Sequence, residues 1–232
     1  FEPQDAVAEA LRLSAAQSGP VVIADTQDNP GAGGNSDTTG MLRALVAANA
    51  QHAAIGLIVD ADAASAAHSA GVGETVDLTL GGRSGIPGDA PFSGRFEVEA
   101  LSDGRLIAPG PFYGGARLRL GPSACLRIGG VRVIVASSKT QLADREMFRF
   151  LGVVPAAVEA SGCRGAVGEV GFLVHGQSVH IRPETDLSRT GMLAGDQSDD
   201  ACPSDAAMHL RTDALEFCCD DVGRTVPVSY TH

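Results

Sequence analysis

Asp25-Thr-Gln-Asp-Asn-Pro-Gly-Ala-Gly-Gly-Asn-Ser-Asp37 combines acids, glycines and small polar residues in one short run. The Asn-Pro step and the three glycines mark it as a loop. It lies between an apolar run and a helical pattern. Amides at the start of a helix attract anions, and glycines let a ligand approach the main chain. Two phosphate-binding patterns can be set against it. A P-loop needs a Lys before its Ser or Thr to reach the β- and γ-phosphates. Here Asn35-Ser36-Asp37 follows Gly34, and that Lys is missing. A dinucleotide fingerprint needs GxGxxG directly after a strand. Gly31-Ala32-Gly33 supplies its first half, and Ser36 stands where the last Gly belongs. Asp60 ends the next apolar run, where a ribose-binding acid would sit. Against that, Asp25, Asp28 and Asp37 put three negative charges beside the supposed pyrophosphate. A non-catalytic anion- or nucleotide-binding module therefore stands as an alternative reading.

The acids themselves suit a cation, although their spacing lacks the one-residue alternation of a calcium loop. Asp and Asn also bond their own backbone in turns and caps. Ser36 or Asp37 is placed to N-cap the helix that follows. For Asp28-Asn29 both roles, functional and turn-forming, stay open. Elsewhere the metal-type residues are scattered. His52 and His68 sit in helical stretches without a ligand partner. Cys202, His209, Cys218 and Cys219 do not have the usual zinc spacing.

The elements that must position the loop read as α/β. Asp5 to Gln17 has an apolar stripe of Val7, Ala10, Leu11 and Leu13 and predicts a helix ended by Gly19-Pro20. Val21 to Ala24 predicts a buried strand. Met41, Leu42, Leu45 and Val46 give the next helix its apolar face. Ile55 to Val59 predicts a strand, and Ala61 to Ser69 a helix. That order implies a parallel βαβ core. After Gly73 the period switches to two: Val76 to Leu80, Arg95 to Glu99 and Arg117 to Leu120 predict strands. Cys125 to Ile128 and Val131 to Val135 flank Gly129-Gly130, a hairpin signal. Asp144 to Leu151 predicts a short helix closed by Gly152. The fold class is α/β, a parallel βαβ core with an added antiparallel β-hairpin region, followed by a poorly patterned tail. Residues 1–155 form the domain. Residues 156–232 read as a weakly folded extension or as residues foreign to the domain.

The chain has 232 residues and a formal net charge of -11. An acidic surface repels phosphate backbones, so nucleic acid is not an expected partner. The apolar runs are too short to span a bilayer. No signal-peptide pattern opens the sequence, and the start at Phe1 suggests an upstream part. The five cysteines, an odd number, point to reduced thiols and a cytoplasmic setting.

The run from Asp25 to Thr39 resembles the signature of the C-terminal domain of microcystinase C-like (MlrC-like) zinc metallopeptidases. These are bacterial hydrolases related to the enzyme that degrades linearised microcystin. Gly81-Gly82-Arg83, Gly88, the Gly110-Pro-Phe-Tyr-Gly114 turn, the Gly121-to-Ser137 hairpin and Asp144…Phe148…Gly152 match further family segments in order. The resemblance covers about Gly19 to Pro155. Val179-His180-Ile181-Arg182 only echoes a later family segment of the form Val-His-aromatic-Arg: Ile181 stands where the aromatic belongs, and the echo is read as chance.

This resemblance implies a domain that closes over the active site of a preceding, N-terminal catalytic domain, which would hold the zinc through its own Asp and His residues. It implies hydrolysis of amide bonds in small peptide-like substrates. In that setting Asp28, Asn29, Gly31, Gly33, Gly34, Asp37 and Tyr113 are the expected substrate-binding residues. No catalytic residue or metal ligand is assigned to this chain, which alone is expected to be inactive.

Overall fold

The computed structural model describes residues 2–16, 21–25, 28–154, 172–175 and 225–228. Helix α1 spans Pro3–Ala16 and starts two residues before the sequence pattern suggested. Proline is tolerated in a first turn, where its missing N–H has no intrahelical partner to lose. Strand β1 (Val22–Asp25) follows, then the glycine-rich loop with one 3-10 turn at Pro30–Ala32. Next come α2 (Gly40–Ala47), β2 (Ala53–Val59) and α3 (Ala61–Ala70). The period-two region forms β3 (Thr75–Leu80), β4 (Phe92–Ser102), β5 (Arg105–Ala108), β6 (Ala116–Arg119), β7 (Ser123–Ile128) and β8 (Val131–Ala136). The short helix α4 is Glu146–Arg149, and Gly152 follows at φ 77°. Two further strands, β9 (Phe172–His175) and β10 (Thr225–Val228), come from the late part of the chain.

Eight strands form one mixed sheet in the order β10-β1-β9-β2-β8-β7-β4-β3. The first five run parallel to one another. β8 is the junction, parallel to β2 on one side and antiparallel to β7 on the other. The expected βαβ core and hairpin region are both there. One detail differs: β1 and β2 are not neighbours, because β9 lies between and pairs with both. The sheet thus recruits strands from beyond residue 155. Those strands were not legible, since four-residue segments carry too little periodicity to stand out.

Alternation along β8 shows how the sheet divides its faces. Val133 and Val135 join a core with α1, α2, α3, Ile23, Ile55 and Phe96. Ile134 and Ala136 join a second core with Leu57, Leu142, Met147, Phe148 and Leu151. Helices α1 to α3 therefore cover one face. Helix α4 and the separate β5-β6 hairpin, through Leu106 and Leu118, cover the other. Each fully buried Leu, Ile or Phe contributes roughly 1.5–3 kcal/mol, so both faces hold the sheet edge rigid where the loops emerge.

Candidate functional site

The carboxyl ends of β1, β2 and β8 lie along one edge of the sheet, where open α/β sheets place their ligands. The glycine-rich loop leaves β1 at this edge. It is tied to β2 by Ser36, whose Oγ donates to the Leu57 carbonyl at 2.6 Å and whose own carbonyl accepts from Val59 N at 2.8 Å. Ser36 sits at φ 61°, a left-handed conformation that these two bonds hold in place. Asp60 N donates to Ala136 O at 2.9 Å and links β2 to the end of β8.

Asp28 closes the loop. Its side chain is buried, and Oδ2 accepts from Asp37 N at 2.6 Å and Thr38 N at 3.0 Å. Asn29 shapes the tip. Its Oδ1 accepts from Gly31 N at 2.8 Å, and its carbonyl accepts from Ala32 N and Gly34 N. Gly33 N donates to Pro30 O at 3.2 Å. All four amides from Gly31 to Gly34 are thus used inside the loop, and none is left to cradle an anion. Gly31, Ala32, Gly33 and Asn35 are exposed. Gly33 needs its glycine for φ 98°, and a side chain there would point into open space. Gly34 packs against Asp28, where a Cβ would lie 2.6 Å from Oδ1 and 2.7 Å from the backbone carbon.

Asp37 has a role that the sequence did not suggest. The expectation that Ser36 or Asp37 caps α2 is incorrect: Thr39 holds the N-cap position and makes no side-chain cap bond. Asp37 turns instead to the 81–91 loop. Its Oδ2 accepts from Arg83 N and Ser84 N at 2.9 and 3.0 Å, and Oδ1 from Ser84 Oγ at 2.5 Å. Gly82 N donates to the Asp37 carbonyl at 2.6 Å. Gly81 lets this loop come close, since a Cβ there would lie 2.2 Å from that same carbonyl oxygen. Arg43 and Thr39 fasten the far end of the loop by donating to Ala90 O. A long-range acceptor set of this kind has no local sequence signature.

Asp60, weighed as a ribose ligand, is already in use. It caps α3 by accepting from Ala63 N at 3.0 Å and accepts from Gly81 N at 3.0 Å. Arg83 lies 3.6 Å from it.

Tyr113 comes to the loop from the other face. Its hydroxyl donates to the Gln141 carbonyl at 2.5 Å, and the Gln141 side chain lies against Gly31, whose Cβ position is 2.3 Å from Oε1. Gln141 bridges the two glycine-rich segments and was not singled out from the sequence. Asp144 fixes the second segment: Oδ2 accepts from Gly110 N at 2.6 Å and Oδ1 from Glu146 N at 2.9 Å. The i to i+2 bond to Glu146 is the signal an Asp before a helix gives. Burial first, and then the nearby Asp144 charge, push the Tyr113 phenol above its ordinary range, so it stays protonated and donates.

The predicted site residues therefore divide into two groups. Asp28, Asn29 and Asp37 are buried and bonded within the structure. Gly31 and Gly33 form the exposed tip, with Gly34 under it and Tyr113 alongside through Gln141. Among the described residues, no group of three or more His, Cys, Asp or Glu is arranged to hold a metal ion. His68 Nε2 lies 3.1 Å from Ser123 O, which accounts for its placement. Val179-His180-Ile181-Arg182 and the four later cysteines lie outside the described residues, as does His209. No helix of the described residues is long and apolar enough to cross a membrane.

Comparison with known proteins points to one group. The family model for the MlrC C-terminus matches residues 23–160. Microcystinase C of a Sphingomonas species is 31% identical over 155 residues, covering 66% of this chain and 30% of its own. A crystal structure from Mesorhizobium sp. BNC1, provisionally named a metallopeptidase, aligns with a TM-score of 0.59 at 21% identity. That alignment covers 73% of this chain and 32% of the other, so the chain spans about a third of the length of either relative.

Proposed function

Because this chain belongs to the family of MlrC C-terminal domains, we propose that it is the cleft-forming domain of a zinc-dependent metallopeptidase that hydrolyses amide bonds of small peptide-like substrates. The zinc would be held by Asp and His residues of a preceding N-terminal domain, and it would supply polarisation of the scissile carbonyl. This chain contributes a wall. The Gly31–Gly33 tip, with the Ala32 methyl as its one side chain, offers a low surface across which a peptide backbone can lie closely. Asp28, Asn29 and Asp37 hold that surface in shape from below. The Tyr113 ring, anchored to Gln141, borders it. A wall of this kind orients the substrate and excludes water, which affects rate without a catalytic side chain.

The observation that carries this reading is the overlap of the family match, residues 23–160, with a rigid loop whose tip is exposed at the carboxyl edge of the sheet. The test joins the preceding domain to this chain and follows hydrolysis of linear peptides after zinc loading. Gly33→Val should lower kcat/KM by about tenfold or more, since a β-branched side chain enters open space above the tip at a strained φ. Unchanged turnover with the fold intact would remove the loop from the mechanism. Micromolar nucleotide binding by this chain alone would favour the anion-binding module instead.

A further inference from the structure

The β5-β6 hairpin carries a charge that does not match the rest of the molecule. The net charge is -11, yet between Asp103 and Arg119 there are three arginines against one acid. In the hairpin register Arg105 stands directly opposite Arg119, and Ile107 opposite Arg117. Residues two apart share a face, so Arg105, Ile107, Arg117 and Arg119 all project away from the side that buries Leu106 and Leu118. Like charges placed directly opposite each other weaken a strand pair. Among the described residues, Arg105 has a counter-charge, Asp103 at 3.6 Å, and Arg117 and Arg119 form no ion pair. Ile107, between them, is 56% exposed. Together with Leu106 and Leu118, these residues border an open recess of about 530 Å³.

The backbone adds a second feature. β5 and β6 form a two-stranded sheet, and α4 packs beside β5. The outer edge of β6 has no strand beside it among the described residues. Free edges accept extended peptides through main-chain bonds, with side chains at alternate positions giving specificity. Arg117 and Arg119 are spaced about 6.7 Å apart along β6, the spacing of alternate residues in any strand. We propose that the β6 edge of this hairpin binds an extended acidic segment of a partner protein, its carboxylates at alternate positions meeting Arg117 and Arg119. Arginine suits this role because its planar fork pairs with a carboxylate through two bonds. The negative charge elsewhere on the chain does not prevent it, since charges beyond about 8 Å are screened at physiological salt.

The test uses the 232-residue chain and a fluorescein-labelled peptide of alternating Thr and Glu, with a Thr-Gln peptide as control, read by fluorescence anisotropy. The wild type should bind the acidic peptide, more weakly at about 300 mM than at about 50 mM NaCl. Arg117→Glu with Arg119→Glu should weaken binding by about tenfold or more, and the Thr-Gln peptide should bind no better than that variant. Arg12→Glu, on an exposed part of α1, should leave binding unchanged. If the double reversal does not fold by circular dichroism, Arg117→Gln with Arg119→Gln replaces it. Absence of binding up to about 1 mM peptide, or binding retained by a folded double variant, overturns the proposal and leaves the arginines as guards of an edge strand.

Discussion

Replacing Asp28 with Ala tests whether the glycine-rich loop is a closed, self-supporting unit. Asp28 is 1% exposed, and its Oδ2 accepts two backbone amides, from Asp37 at 2.6 Å and Thr38 at 3.0 Å. In Asp28→Ala both amides stay in a buried setting without that acceptor. Each orphaned buried donor costs about 1–3 kcal/mol. Part of the loss is offset, because the variant no longer buries a carboxylate. The expected net loss is about 3 kcal/mol. Asp28→Asn keeps one acceptor oxygen without the charge and should lose about 1–2 kcal/mol. With an m-value on the order of 2 kcal/mol/M in urea, the Ala variant should shift the unfolding midpoint by about 1.5 M. Hydrogen exchange adds a local readout, since the Asp37 and Thr38 amides should lose protection before the β8 amides do. A midpoint shift under about 0.5 M, with both amides still protected, would refute the argument that Asp28 closes the loop.

Two further outcomes follow from the same geometry. Gly81→Ala should cost at least about 2 kcal/mol, because it adds a Cβ 2.2 Å from Asp37 O at φ 51°. Gly85→Ala, at φ 71° with nothing within 4 Å, has only conformational strain to bear; equal Tm shifts for the two would remove the close approach as a cause. Burial, followed by the Glu99 charge, pushes the Cys125 thiol up from 9.0 to about 12. The folded form holds its proton when the unfolded form has lost it, so this stability is complete below pH 9.0 and declines as pH rises towards about 12. Between pH 9.0 and about 10.5 the wild type should lose about 1.5 kcal/mol more than Cys125→Ala does. Parallel pH profiles of the two proteins in urea titrations would contradict it.

Sequence alone went furthest where the structural signal is local. The period-two runs gave β3, β4 and β6, and Gly129-Gly130 gave the β7-β8 hairpin, because pleat alternation and turn chemistry are written within ten residues. The same local logic failed at Asp37. An acid just before a helical pattern reads as a cap, yet non-local partners won: the Arg83 and Ser84 amides and the Ser84 hydroxyl, 46 and 47 residues away, together offered three bonds. The order of the parallel strands was equally hidden. β1 and β2 are each apolar, and nothing in either encodes that β9, more than a hundred residues later, lies between them.

The glycines carry the larger lesson for the site. In the sequence, Gly31, Gly33 and Gly34 suggested amides free to bind an anion, because composition reports where a ligand can approach but not where the amides point. Asn29 decides that direction. With its side chain and carbonyl it accepts three of the four amides in the tip. The glycines are then needed for other reasons: the φ of 98° at Gly33, the contact with Asp28 at Gly34 and the Gln141 side chain over Gly31. What remains outward is a low surface, capped by the Ala32 methyl, with its amides turned in. Such a surface suits the flat face of a peptide chain better than a phosphate, which needs donors. It is on this ground that we propose the loop as a wall of a peptidase cleft in preference to a nucleotide cradle.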